Sequence, residues 1–298
     1  MSELQTSESG QDWQKSSESR MGSIEIRACQ GLDELEACVQ LQLETWGYDA
    51  ADLIPRRVFL VAQKIGGQVL GAFDRELESE GRADKGIESG PVVGRPEELV
   101  GFAFSLPGLK SKQGIASLYL HSHMLAVKQA YRNRGIGVEL KLAQRSEALL
   151  RGIRKMEWTF DPLEIKNAFL NIHRLGAVVS RYHVNFYGLS SSRLQGGLPT
   201  DRLVAEWYLD SPRVRGRVEG RPAADYAIDR RIVVPAAISE WKAAEASRGR
   251  AEAVQLENRR TFQEAFDEGM TVLGFLRDAD GNGVFELGRL PADPPKLE

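Results

Sequence analysis

The stretch Leu125-Ala-Val-Lys-Gln-Ala-Tyr-Arg-Asn-Arg-Gly-Ile-Gly137 constrains this chain more than any other. Ahead of its turn, Ile115–Val127 carries a strand pattern; after it, Gly135–Arg151 places Ile136, Leu140 and Ala143 at helical spacing. The two are joined through Arg132-x-x-Gly135-x-Gly137. Glycines at the mouth of a helix let a ligand approach the backbone, and the first-turn N–H groups and helix dipole present positive charge there. Residues 128–155 hold eight bases and two acids in a chain of net charge -3. The turn reads as an anion cradle suited to a diphosphate. Two familiar phosphate loops do not fit: Val138-Glu139 stand where a P-loop needs Lys-Ser/Thr, and Leu140 occupies the third glycine of the dinucleotide fingerprint.

Around this turn the pattern predicts a strand at 23–28 and an amphipathic helix at 31–46. A hairpin follows from Val58–Ala62 and Val69–Phe73 about Gly66-Gly67, then a polar loop at 74–98 and a strand at 99–105. Lys155–Phe160 reads as a strand stopped by Asp161-Pro162, Glu164–Leu175 as a helix closed by Gly176, and 177–187 and 203–209 as further strands. The expected class is α/β, with a mixed, mostly antiparallel sheet flanked by helices. Residues 1–22 read as a disordered tail, 23–210 as the principal domain and 211–298 as a C-terminal extension. Within that extension, 211–229 reads as a linker, followed by a strand, a long helix at 236–267 and a second strand. This βαβ-like appendage is too small for a core of its own and is expected to pack on the main domain or on a partner subunit, which allows a homodimer.

Composition narrows the function classes. With 39 bases against 42 acids, and no aromatic-basic platform, nucleic-acid binding is not expected. No apolar run is long enough to span a bilayer, and two cysteines, Cys29 and Cys38, make neither a disulfide framework nor a multi-Cys zinc site. A reduced, cytoplasmic protein without a metal is the expectation.

The strand, short turn and Arg-x-x-Gly-x-Gly helix opening resemble the acyl-CoA-binding motif of the GCN5-related N-acetyltransferase (GNAT) superfamily. The resemblance covers Ile24 to Leu209, with Asn167-Ala168 and Arg174-Leu175-Gly176 matching the family's second helix beside the pantetheine arm. One strand before the motif is surplus to the family's count. The resemblance implies that the strand ending at Val127 and the strand Lys155–Phe160 splay apart and that acetyl-CoA, or another acyl-CoA, enters the wedge as cosubstrate. Cofactor contacts then fall on Val127, Arg132, Arg134, Gly135, Ile136, Gly137 and Asn167, with the N–H near Leu125 polarising the thioester carbonyl. An amine attacks the thioester directly, so the protein must supply a base and an acid.

His121 and His123 share one strand face at i, i+2 spacing, and their placement resembles the paired histidines of the arylalkylamine N-acetyltransferases. Asp161 is expected near the acceptor's ammonium group. Many family members place a tyrosine where this chain has Ile172, so His173, Tyr182 or Tyr187 is left to protonate the thiolate, or CoA leaves unassisted. The expected catalytic set is His121, His123, Asp161 and Tyr182. The acceptor is expected to be a small amine; Arg174, Arg181 or Arg202 would suit an amino-acid carboxylate, and succinyl-CoA would then be an alternative donor. The rival reading is a non-catalytic acyl-CoA-binding regulatory module. Asp278-x-Asp280-x-Asn282-Gly283 opens like a calcium loop, but its twelfth position is Arg289, and a hairpin turn is expected instead.

Overall fold

The computed structural model describes residues 23–75, 98–112, 115–188, 190–221 and 226–290. The tail reading at 1–22 and most of the 74–98 loop reading lie outside them. Four strands open the sheet: β1 (Ile24–Ala28), β2 (Gln68–Asp74), β3 (Glu98–Lys112) and β4 (Ile115–Val127), each antiparallel to the one before. Helix α1 (Gly31–Trp46) buries Leu35, Cys38 and Leu41 and stops at Gly47 in the left-handed conformation. Both cysteines are buried thiols, with sulfurs 3.8 Å apart.

Residues 56–64 form a helix, α2 (Arg56–Lys64), and not the strand that Val58–Ala62 suggests. Phe59 and Ala62, three apart, are its buried residues, while Val58, Leu60 and Val61 are exposed. Phe59 sets its ring edge-on to Phe104 at 4.8 Å between centroids. Anchoring at helical spacing overrides the strand preference of the two valines. The correction also removes the surplus strand before the glycine turn.

Helix α3 (Ile136–Leu150) follows that turn and packs on β2, β3 and β4, on the sheet face opposite α1 and α2. Next come β5 (Lys155–Phe160) and the short helix α4 (Ile165–Ala168), which widens into a π-helical turn over Phe169–Arg174. Strands β6 (Val178–His183) and β7 (Arg202–Tyr208) complete this part. Among the described residues the only parallel neighbours in the sheet are β4 and β5, paired at just two positions, Leu120 with Met156 and His121 with Glu157. Beyond those pairs the strands part. This is the wedge that the family resemblance implies.

The C-terminal segment continues the same sheet. Residues 212–218, expected within a linker, form α5 (Pro212–Val218), which Ser211 caps by accepting from Val214 N–H. The expected long helix is two, α6 (Ile238–Ala243) and α7 (Arg248–Asp267). Strands β8 (Arg230–Val234), β9 (Thr271–Arg277) and β10 (Gly283–Gly288) extend the sheet to ten, ordered β1-β2-β3-β4-β5-β7-β6-β9-β10-β8. Phe262, Phe275 and Phe285 belong to one buried cluster with Met156, Trp158 and Trp207 of the principal domain. Asp278 closes the β9–β10 turn by accepting from the N–H groups of Asp280 and Asn282.

Candidate functional site

The wedge opens into a cleft of about 300 Å³ between β4 and β5. Its edge along β4 is set by backbone alternation. Lys128 N–H donates to the Val100 carbonyl at 2.8 Å, so the N–H and C=O groups of Val127 and Leu125, on alternate residues, turn away from β3 toward the gap that β5 vacates. A bulge then intervenes. Ser105 pairs with Ser122 and Phe104 with Met124, which leaves His123 as the extra residue. The bulge aims His123 into the cleft beside Phe104 on the α1 face of the sheet.

At the open end of the wedge, Asn133 and Gly135 adopt left-handed φ values of 62° and 89° and swing the chain into α3. Among the described residues no side chain caps that helix. The first-turn amides of Ile136 and Gly137 therefore remain available to a ligand. A Cβ at Gly135 would meet no atom within 4 Å, so the glycine answers to backbone conformation and not to space. A Gly135→Ala protein is expected to lose roughly 1–2 kcal/mol of stability in urea unfolding; an unchanged midpoint would show that the turn tolerates a side chain.

Arg132 and Arg134 stand exposed at this turn, with Arg132 Nε on the Val127 carbonyl at 3.1 Å and the Arg134 guanidinium 4.9 Å from the Tyr131 ring. Most other bases in the local excess are already engaged: Lys128 with Glu98, Arg151 with Glu147, Arg154 with Asp210 and Lys155 with Glu157 and Glu206.

Along the cleft walls, His123, Leu125, Asp161 and Asn167 are brought together. His121 does not line the cleft; its ring lies 6.1 Å from that of His123, near Glu157. Burial lowers the pKa of both imidazoles, that of His121 to about 4 with His123 adding to the effect, so both are neutral at pH 7.

Two expected residues have other work. Tyr182 lies outside the cleft, its hydroxyl donating to Asp201 and its ring facing Phe262 of α7 at 5.8 Å. Burial and the Asp201 carboxylate push its pKa up, so it is held as a structural donor. Asp161 lines the cleft, but its Oδ2 receives the buried Lys242 ammonium at 2.8 Å and its Oδ1 the Leu163 N–H. An acceptor ammonium would have to compete with Lys242 there. His173 stacks on Phe169 at 4.4 Å and does not line the cleft.

The π-helical turn explains the Ile172 position. Leu175 N–H reaches back five residues to Leu170, and the widened turn buries Ile172 in the core while Asn171 faces the cleft. Several lining residues carry no sequence motif: Trp46 at the end of α1 with Tyr48 and Asp52 after it, Tyr187 after β6, and Arg202 at the start of β7. Tyr187 shares a hydrogen bond with Thr159 Oγ1 at 2.8 Å. Lys141 was legible in principle, since it neighbours the buried 136, 140, 144, 148 row of α3. Burial lowers its pKa to about 7.

Neither a family model nor a curated protein matches the chain. Solved structures do. NAA60 of Arabidopsis thaliana in complex with acetyl-CoA is 17% identical over 62% of this chain and 99% of its own, with a TM-score of 0.45. A GNAT family acetyltransferase from Elizabethkingia anophelis with acetyl-CoA bound gives 14%, 63% and 99%, with 0.40. An Escherichia coli N-acetyltransferase named for an alanine of a ribosomal protein gives 14%, 62% and 94%, with 0.40. At such identities and scores these likenesses assign no activity, and the fold stands on strand order and register alone. With its mostly antiparallel mixed sheet, the splayed parallel pair β4–β5 and the glycine turn at the mouth of the wedge, the chain has the α/β fold of the GCN5-related N-acetyltransferases.

Proposed function

We propose that the protein transfers an acyl group from an acyl-CoA to the amino group of a small acceptor. One observation carries this reading: an edge of unpaired strand amides leads from an uncapped, glycine-opened helix to a neutral, buried imidazole. The amides of Gly135, Ile136 and Gly137, with Arg132 and Arg134, receive the pyrophosphate. Val127 N–H and Asn167 hold the pantetheine arm, and Leu125 N–H donates to the thioester carbonyl as negative charge develops on its oxygen. The acceptor nitrogen attacks the carbonyl carbon, its proton passes to His123, and the C–S bond breaks to release CoA as thiolate. Tyr187, which lines the cleft as Tyr182 does not, is the candidate to protonate that thiolate. Arg202, on the wall beside Tyr187, suits an acceptor bearing an acidic group.

The test is thiol release from a panel of acyl-CoAs with small amines and amino acids. Release that needs both substrates supports the reading; CoA binding without release for any acceptor contradicts it and favours an acyl-CoA-binding regulatory module. The pH profile adds a second check. Because burial lowers the His123 pKa from 6.5, the neutral base persists as pH falls through the ordinary imidazole range. The limb that His123 contributes to kcat/KM is expected below pH 6.5, and an acid limb unchanged in His123→Ala would exclude His123 as the base.

A further inference from the structure

Lys141 is 3% exposed, and its amino group lies 2.7 Å from Ser122 Oγ and 3.7 Å from the Trp158 ring centroid. All three side chains line the cleft. Among the described residues no carboxylate lies within ion-pair distance of Lys141, in contrast to buried Lys242 with its two. Ser122 Oγ passes its hydrogen bond to Gln144 Oε1 at 3.0 Å, and Gln144 Nε2 is buried with no partner among the described residues. An ammonium and an amide N–H thus lie buried together with no anion to receive them. A buried cation persists at a cost unless something pairs with it.

Its place along the wedge indicates what that partner is. Lys141 belongs to α3 and meets β4 at Ser122, nearer the closed end at Leu120 than Leu125 is. Two residues of strand, one of them bulged, lie between Ser122 and Leu125, and the three steps span about 7–10 Å at the usual rise. That is the reach of a four- or five-carbon dicarboxylic acyl chain from thioester carbonyl to terminal carboxylate, with one charge-assisted hydrogen bond added. An acetyl group stops short and leaves the cation uncovered. An acidic group on the acceptor is the other candidate partner, but the acceptor reaches His123 from the α1 face, lined by Trp46, Tyr48 and Asp52, whereas Lys141 sits on the α3 face.

We propose that the acyl group this cleft accepts ends in a carboxylate, as in succinyl-CoA, held by the Lys141 ammonium with Ser122 and Gln144 beside it. This rests on the acyl-CoA reading above. The acyl donor expected from the sequence, acetyl-CoA, is then not the preferred one.

The experiment is calorimetric titration of the full chain with CoA, butyryl-CoA and freshly prepared succinyl-CoA, for the native protein and for Lys141→Met. Butyryl and succinyl chains have the same carbon count, so the carboxylate is the variable. The native protein is expected to bind succinyl-CoA about tenfold to a hundredfold more tightly than butyryl-CoA. Lys141→Met should abolish that preference and keep CoA affinity. Equal affinities in the native protein, or a preference that survives Lys141→Met, would overturn the assignment while leaving acyl-CoA binding intact. Failure of CoA itself to bind would remove the underlying reading and this inference with it.

Discussion

A His123→Ala protein is expected to lose about 10²–10⁴-fold in kcat while its affinity for CoA is unchanged. The imidazole faces the cleft, burial keeps it neutral, and the β4 bulge fixes its direction. The proposed pyrophosphate contacts, at Gly135, Ile136 and Gly137, lie at the other end of the wedge and do not involve it. His121→Ala should cost less, because His121 sits behind His123, off the cleft wall. Its pKa of about 4 also makes it a weak acceptor at working pH. Steady-state kinetics on both variants, with CoA titrations alongside, measure this. Equal losses would mean that the two act as one relay, and an unaffected His123→Ala would end its role as base.

The second large effect is on stability. Lys242→Ala is expected to cost about 3–5 kcal/mol, because Asp161 would be left buried without its counter-charge. Lys242 is 4% exposed at its side chain and Asp161 9%, so water cannot replace the pair. Burial by itself would lower the Lys242 pKa, but the carboxylates of Asp161 and Glu164 raise it above the ordinary lysine value, so the ammonium form is the one bound. Glu164 accepts from the same ammonium at 2.9 Å and lines the cleft with Asp161, so the C-terminal segment braces one cleft wall. The double variant Asp161→Asn, Lys242→Met should recover much of the loss, since it removes both charges. Urea unfolding of the single and double variants gives the coupling directly; additive losses would show that the pair contributes little.

The parts of the site legible in the sequence are those that local chemistry dictates. The Leu125–Gly137 turn declares itself through glycine placement and a strand-to-helix change of period, and the β9–β10 hairpin through its Asp, Asn and Gly residues. What escaped depends on partners remote in sequence. Asp161 looks like an acceptor ligand until Lys242, 81 residues away, is seen to occupy it. Tyr182 looks like an acid until Asp201 and Arg259 are found around it. Residues 56–64 carry strand-forming valines, but Phe59 and Ala62 bury at helical spacing because Phe102 and Phe104 await them on β3. The π-helical turn leaves no trace in composition, yet it decides that Ile172 goes inward and Asn171 toward the cleft.

Hydrogen–deuterium exchange of the full chain, free and saturated with CoA, addresses the central claim most directly. Protection concentrated in peptides spanning residues 122–137, on the β4 edge and the glycine turn, is the expected result. Unchanged exchange across that segment at saturating CoA, or protection confined to the C-terminal strands, would contradict it.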